Sequence, residues 1–159
     1  MTKINIFSVE YKKIIALYLD SKIAYKNNLI INMNSIYFTE EHELFRKSLQ
    51  DFLQKEVVPH IEKWEKTGTI ERFIWKKFGD MGFFGINYPE AYGGMNLDLF
   101  YTVVFLEELQ KIKSSGFAAA MWAHAYLAQT HLNAEGSEKI KQDYLAPSIL
   151  GDKIGALCI

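Results

Sequence analysis

One stretch of the chain is apolar over a length that other elements have to cover. It runs from Ser115 to Asn133 and reads SGFAAAMWAHAYLAQTHLN. From Gly116 to Ala128, every residue except His124 is apolar or glycine. A helix that is apolar on all sides is stable only when neighbours enclose it, and about 20 apolar residues are needed to cross a bilayer. We therefore expect the buried central helix of a soluble, helical domain.

Small side chains dominate this predicted helix and leave room that leucine or phenylalanine would fill. Its alanines are Ala118, Ala119, Ala120, Ala123, Ala125 and Ala128. Small residues on a buried helix let a second helix approach closely, and they also make space for a ligand beside the helix. The spacing of the alanines is compatible with both uses.

The composition is that of an ordinary globular protein. The 159 residues are 49% hydrophobic and 23% charged, with a net charge of −1, and this length suffices for one domain with a sizeable core. So small a net charge gives no electrostatic reason to bind nucleic acid or an anionic membrane. The single cysteine, Cys158, excludes an internal disulfide. Together these features favour a cytoplasmic location.

Residues 1–36 differ from the rest and are treated as an N-terminal extension. They contain no proline, glycine, tryptophan or arginine. The apolar run Ile14–Leu19 is shorter than a signal-peptide core of about 7–15 residues. An amphipathic helix over about residues 9–25 is one expectation, and a poorly ordered segment is the other.

The first predicted helix begins at Thr39, an N-cap followed by acidic residues in the first turn. Phe45 and Leu49 start its apolar face. Pro59 is expected to bend or end this helix, and a continuation of the same apolar face through Ile61 and Trp64 is the alternative. Further helices are expected over about residues 70–81, 97–112 (capped by Asn96 or Asp98) and 138–146.

Residues 79–94 read GDMGFFGINYPEAYGG and are predicted to form a loop. Its glycines and aromatic residues fit two roles: a packed connector between helices, or a loop whose glycines let a ligand approach the backbone. Because no strand precedes it and it contains no G-x-G-x-x-G, it is not a dinucleotide-binding fingerprint.

The final seven residues, KIGALCI, are the first strand-like run after the helices. A strand without a partner leaves backbone donors and acceptors unsatisfied. We therefore expect residues 153–159 to be the first strand of a β domain that lies beyond this chain.

Residue chemistry alone gives no complete active site. His124 and His131 are seven residues apart, about 10.5 Å along a helix, too far for both to bind one zinc ion at about 2 Å. His124 fits either a hydrogen-bonded core histidine or a group that lines a pocket. Glu107 and Glu108 are adjacent, so they point in different directions and cannot act as an acid–base pair; we expect them to be solvated or paired locally. Cys158 has no neighbouring base.

Four segments, in this order and spacing, resemble the N-terminal region of the acyl-CoA dehydrogenase family of flavoproteins. They are EEHELFRKSLQDFLQKEVVPHIEKWEKTG, FGDMGFFGINYPEAYGG, LEEL and AEGSEKIKQDYLAPSILGDKIGALCI. The resemblance covers residues 37–159. It implies an all-α fold class: the N-terminal helical domain of the acyl-CoA dehydrogenase fold, with about five helices over residues 37–152, ending in one unpaired β-strand.

The resemblance implies an FAD-dependent oxidoreductase that converts an acyl-CoA thioester to the enoyl-CoA. In the family, a carboxylate removes an α proton and FAD takes a hydride from the β carbon. That carboxylate usually belongs to the C-terminal domain, so no residue here is assigned as catalytic, and the chain alone is expected to be inactive. The resemblance also implies an electron-transfer flavoprotein or similar acceptor, and a homo-oligomer for the intact enzyme.

Some positions match residues that have a role in the family. The helix that matches residues 116–133 lines the acyl pocket there, which favours a pocket wall as the use of its small residues. Its inward positions correspond to Ala120, Ala123, His124 and Leu127. The family's flavin-contacting segment opens with residues that correspond to Leu157, Cys158 and Ile159. The segment 88–94 matches a Pro-Glu-x-Tyr-Gly-Gly motif, which we expect to be structural.

A non-catalytic helical interaction module that retains the fold is the alternative. Its pocket wall would then be a docking surface for another protein. The sequence that follows Ile159 separates the two hypotheses, because a Thr-Glu-Pro continuation favours the dehydrogenase and a stop favours the module. In either case, we expect isolated residues 37–159 to expose an apolar patch and to self-associate.

Overall fold

The computed structural model describes residues 37–156; the expected extension at residues 1–36, including its possible helix, and residues 157–159 lie outside this range. Within it the chain forms five continuous helices, which confirms the expected all-α fold. Three of them contain a π-helical segment. The helices are α1 (Glu40–Phe52, π-helical Leu53–Val57, Val58–Thr67), α2 (Arg72–Asp80), α3 (Leu99–Lys111), α4 (Ser115–Trp122, π-helical Ala123–Ala128, Gln129–Glu135) and α5 (Glu138–Ile140, π-helical Lys141–Leu145, Ala146–Ile149), with a short 3₁₀ turn at Glu90–Tyr92.

α1 begins at the predicted cap. The Thr39 hydroxyl accepts a hydrogen bond from the His42 amide, and the His42 ring accepts one from the Thr39 amide at 3.0 Å. This reciprocal capping satisfies amides that a helix start leaves unpaired. The same ring joins α1 to α3, because its Nε2 lies 3.1 Å from the carboxylate of Asp98. Of the two caps expected for α3, Asn96 and Asp98, the structure uses Asp98.

α1 continues through Pro59 and does not end there. A proline has no amide to donate, and its ring clashes with the carbonyl one turn back in an α-helix. The π-helical turn Leu53–Val57 lies just before it and shifts the hydrogen bonding by one residue. The helix therefore extends to Thr67 and ends at Gly68, whose left-handed φ of 64° suits a helix C-terminus.

The connection between α2 and α3 is packed, the first of the two roles considered for it. Its backbone folds back on itself through a hydrogen bond of 2.8 Å from the Met95 amide to the Gly85 carbonyl. Gly94 is required for this fold, because a Cβ there would overlap the carbonyl group of Tyr88. Four of its side chains are buried: Phe83, Phe84, Ile86 and Tyr88.

The core lies where α1, α2, α3 and α4 meet, and it is largely aromatic. Phe78 of α2 is fully buried. The phenylalanine rings around it are Phe52, Phe83, Phe84, Phe105 and Phe117. Because Phe117 lies in the first turns of α4, this cluster anchors the N-terminal end of α4 in the core.

α4 is buried on one side only. Its core residues include Phe117, Ala118, Met121 and Ala125, whereas Ala119 is exposed and Trp122 is 41% exposed. Only part of the enclosure expected for this helix is therefore present in the part of the chain that the structure describes. The elements present between residues 37 and 156 cover one face and leave another open.

The chain after α5 is irregular as far as it is described. Residues 153–156 do not form a strand, and the other three residues of the predicted strand lie outside the described range. Among residues 37–156, no helix combines the length and the apolar character that a bilayer crossing needs.

Candidate functional site

The four residues expected to line a pocket lie on α4, three of them in its π-helical segment Ala123–Ala128. Ala120, Ala123 and Leu127 are half-buried and follow one another at intervals of three and four residues, which places them on one side of the helix. π-Helical turns are rare in proteins, and where they occur they often lie at functional sites. These three side chains form a small apolar strip that is partly open to solvent.

His124, the fourth of these residues, is fully buried. The Gly155 amide lies 3.0 Å from its Nδ1, and the Ser148 carbonyl oxygen lies 3.1 Å from its Nε2. A backbone amide can only donate, so Nδ1 carries no proton and Nε2–H donates to Ser148. Both ring nitrogens are therefore engaged by backbone groups of α5 and of the segment that follows it.

The surroundings of His124 keep its ring neutral. Burial lowers its pKa to about 4, and the hydrogen bond to the Ser148 carbonyl opposes this only in part. The rings of Trp75 and Phe84 meet it edge to face, with centroids 5.4 and 4.4 Å away. In the described part of the chain, His124 is thus a hydrogen-bonded core histidine, and a contact with a substrate stays a proposal.

The segment after α5 passes close to α4. A Cβ placed on Gly155 would lie 2.6 Å from the Cβ of Ala128, so this approach needs small residues on both sides. Ala128 therefore serves close packing, one of the two uses considered for the alanines of α4. The residues expected to contact flavin follow two positions after Gly155 and lie outside the described range: Leu157, Cys158 and Ile159.

A surface cleft of about 460 Å³ borders Ala120. Its walls come from the end of α1, the α1–α2 connection, α2, the start of α4 and the segment after α5. Its apolar lining residues are Trp64, Ile70, Trp75, Phe117, Ala120 and Ile154. The Trp64 and Phe117 rings stack at 5.5 Å. The cleft could not be predicted from the sequence pattern, because its walls come from several elements and the pattern does not indicate which helices pack together.

The polar rim of the cleft stabilises the start of α4. Ser114 caps this helix, because its hydroxyl accepts from the Phe117 amide at 3.3 Å while donating to the Glu65 carboxylate. A carboxylate near a helix N-terminus is stabilised by the helix dipole. We therefore assign Glu65 to helix capping.

The adjacent carboxylates of α3 pair with the same guanidinium. Arg46 of α1 lies 2.7 Å from Glu107 and 2.8 Å from Glu108. The local pairing that was expected is found for Glu108, which bonds to Lys111. Arg46, the partner that the two carboxylates share, is distant in the sequence. Both carboxylates serve the contact between α1 and α3.

The connector between α2 and α3 shows no cradle for a cofactor phosphate in the described residues. The connector glycines, which could have admitted a cofactor phosphate, face their own chain: Gly94 meets Tyr88, and a Cβ at Gly85 would lie 2.9 Å from a side-chain carbon of Ile149. Residues 37–156 also contain no group of three or more potential metal ligands. Of the features expected for the site, residues 37–156 show the partly open apolar strip of Ala120, Ala123 and Leu127.

Comparison with known proteins identifies the family of this helical domain. Residues 39–152 match the family model described as acyl-CoA dehydrogenase, N-terminal domain. The mitochondrial long-chain specific acyl-CoA dehydrogenase of Sus scrofa is 33% identical over 122 residues, covering 77% of this chain and 28% of that protein.

Solved structures agree. The crystal structure of an acyl-CoA dehydrogenase from Geobacillus kaustophilus aligns with a TM-score of 0.70 at 39% identity, covering 75% of this chain and 31% of that one. An acyl-CoA dehydrogenase complexed with FAD from Bacillus anthracis aligns with a TM-score of 0.69 at 29% identity, covering 76% and 21%. The chain thus spans less than a third of the length of each of these relatives.

Proposed function

The chain belongs to the acyl-CoA dehydrogenase family, and we propose that it is the N-terminal helical part of an FAD-dependent enzyme that oxidises an acyl-CoA thioester to the enoyl-CoA. The observation that carries this proposal is the partly open strip of Ala120, Ala123 and Leu127 on a helix whose other face packs in the core. Ligand pockets are mostly apolar and concave, and alanine side chains leave space along this strip for a hydrocarbon chain.

In this proposal, α4 provides one wall of the acyl pocket. Ala120, Ala123 and Leu127 would contact the acyl chain, and His124 would support the wall from beneath. FAD supplies the hydride acceptor when bound, and we propose that Leu157, Cys158 and Ile159 contribute to its binding. The rest of the cofactor site and the catalytic carboxylate would come from parts of the enzyme outside this chain.

Three carboxylates, two on α3 and one on the rim of the cleft, are engaged by other side chains, which supports the absence of a base from the proposed wall. Glu107 and Glu108 are bonded to Arg46, and Glu65 is bonded to Ser114. We therefore propose that the chain alone does not turn over acyl-CoA. An electron-transfer flavoprotein or a similar acceptor, and assembly into a homo-oligomer, are proposed for the intact enzyme.

A chimera tests this function. Residues 37–156 would replace the matching domain of the Geobacillus kaustophilus enzyme, with the unmodified enzyme as control. We expect the purified chimera to retain FAD and to lose the visible absorbance of the flavin when an acyl-CoA is added without oxygen. A chimera that folds and retains FAD, yet is bleached by none of a panel of short, long and branched acyl-CoA thioesters, would contradict the proposal and favour a non-catalytic interaction module.

A further inference from the structure

We propose that His124 is a positioning residue that fixes the path of the chain from α5 toward residues 157–159. It accepts a hydrogen bond from the Gly155 amide and donates one to the Ser148 carbonyl, and so joins α5 to the segment leaving it. Its consequence for catalysis rests on the proposed function, because residues 157–159 are the ones that we propose to contact FAD.

The His124 ring is suited to set a fixed separation between two backbone groups. An imidazole is rigid, and its two nitrogens differ in role once one of them carries the proton. The ring has no exposed surface, and Trp75 and Phe84 pack against it. Because the ring cannot turn in this space without losing both bonds, it holds Gly155 at a defined distance from Ser148.

Gln129 supports the same assignment of the proton. This side chain is fully buried, its nitrogen lies 3.2 Å from His124 Nε2, and its Oε1 has no partner among the described residues. Two N–H groups cannot bond to each other, so a half-turn of the amide that brings Oε1 toward Nε2–H satisfies both groups. Gln129 and Ser148 then share the Nε2 proton, and Nδ1 is left to accept from Gly155.

The bond to Gly155 is the last anchor found in the described range before residue 157. The preceding turn is held by its own backbone, with the amides of Asp152 and Lys153 donating to the Pro147 carbonyl at 2.9 and 3.2 Å. Beyond that turn, the chain depends on His124 and on the close contact between Gly155 and Ala128. His124 therefore sets the direction in which the chain leaves the helical domain.

The sequence allows this bond to be observed directly. Ile154–Gly155 is the only Ile–Gly pair and Met81–Gly82 the only Met–Gly pair in the chain. Labelling with carbonyl-¹³C isoleucine and ¹⁵N glycine thus selects the Gly155 amide in an NMR correlation spectrum, and labelled methionine selects Gly82. The Gly82 amide is bonded to the Gly79 carbonyl at 2.8 Å, and neither group is bonded to His124, so it is a matched control.

Two variants of His124 separate positioning from core packing. In His124→Asn, the side-chain oxygen can take the place of Nδ1 as acceptor for Gly155. In His124→Gln, the amide reaches the place of Nε2 and leaves Gly155 without an acceptor. We expect the Gly155 amide to exchange with solvent at least about fivefold faster in His124→Gln than in the wild type, with His124→Asn close to the wild type.

The same acceleration of Gly155 in both variants, or a wild-type Gly155 amide that exchanges as fast as an unbonded one, would overturn the proposal. If neither variant folds, the wild type decides: a coupling across the hydrogen bond between the Gly155 nitrogen and His124 Nδ1 is expected, and its absence refutes the bond. These measurements use neither FAD nor acyl-CoA. A chimera that fails to oxidise acyl-CoA would refute the proposed function and leave the Gly155 result unchanged.

Discussion

Arg46 Nη1 lies 2.8 Å from the carboxylate of Glu108, although the Glu108 side chain is only 2% exposed. Burial raises the pKa of Glu108, but the hydrogen bonds from Lys111, Arg46 and Gln50 outweigh it and bring the pKa below its ordinary value. A buried carboxylate is tolerated when it is paired in this way. The interaction ties α1 to α3 and holds one side of the helical domain.

Removing the guanidinium should therefore destabilise the fold. We expect Arg46→Met to lower the free energy of unfolding by about 3 kcal/mol, because it removes a main partner of the buried Glu108 carboxylate. The control is Glu107→Gln, which removes a partner of Arg46 whose side chain is 47% exposed and should cost less than about 1 kcal/mol. Urea denaturation followed by circular dichroism measures both, and equal losses would contradict the burial argument.

Stability should depend on pH through His124. Its pKa is about 4 in the folded chain, against an ordinary value of 6.5. Between these values the unfolded chain binds more protons, so stability is complete above about pH 6.5 and falls as pH drops through 4, by about 3 kcal/mol in all.

The His124→Asn variant has no titrating group at this position. Comparison with the wild type therefore separates the contribution of His124 to the pH dependence of stability from that of the carboxylates. Urea denaturation of the wild type and the variant near neutral pH and near about pH 4.5 should give a stability difference that shrinks on acidification. A difference that stays constant would show that burial does not depress the His124 pKa.

Filling the open strip of α4 should obstruct the proposed acyl pocket. In the chimera with the Geobacillus kaustophilus enzyme, we expect Ala123→Trp to lower kcat/KM for acyl-CoA by at least about tenfold, because the indole occupies space left for the acyl chain. Ala91→Trp, at an exposed alanine of the Glu90–Tyr92 turn, is the matched control and should leave kcat/KM within about twofold. Equal effects of the two tryptophans would argue against a pocket at Ala123.

Two glycines should respond differently to alanine. Gly68 has a φ of 64° and open space around its Cβ position, so Gly68→Ala adds only backbone strain, about 1 kcal/mol. Gly94→Ala would force a methyl group into the Tyr88 backbone and should cost about 3 kcal/mol or prevent folding. Thermal unfolding of both variants measures this, and a milder effect at Gly94 would mean that the backbones at residues 88 and 94 can move apart.

The features that the sequence predicted best are those settled within a few residues. The cap at Thr39 depends on a side chain and an amide three positions away, whereas the sequence left Asn96 and Asp98 open as caps of α3 and the structure uses Asp98. Pro59 was harder, because the π-helical turn that carries α1 through it has no sequence signal of its own. The number of helices followed from the apolar periodicity and from the resemblance.

The details of the candidate site depend on partners that are distant in sequence. His124 is bonded to Ser148 and Gly155, and the cleft beside Ala120 is lined by the stacked rings of Trp64 and Phe117. Nothing local in the sequence states these pairings. The sequence therefore indicated that small residues of α4 serve close packing or a pocket. The tertiary contacts show that Ala128 packs closely, whereas Ala120 and Ala123 are partly open.

We propose that the helical domain supplies one wall of the acyl pocket and that this chain does not hold FAD without the rest of the enzyme. An absorbance spectrum of the purified chain, recorded after incubation with FAD and desalting, tests this most directly. We predict that no flavin is retained, because the residues described provide an apolar strip and capped helices without a cradle for the cofactor. Flavin retained at about one per chain would contradict the claim and show that this helical domain binds the cofactor alone.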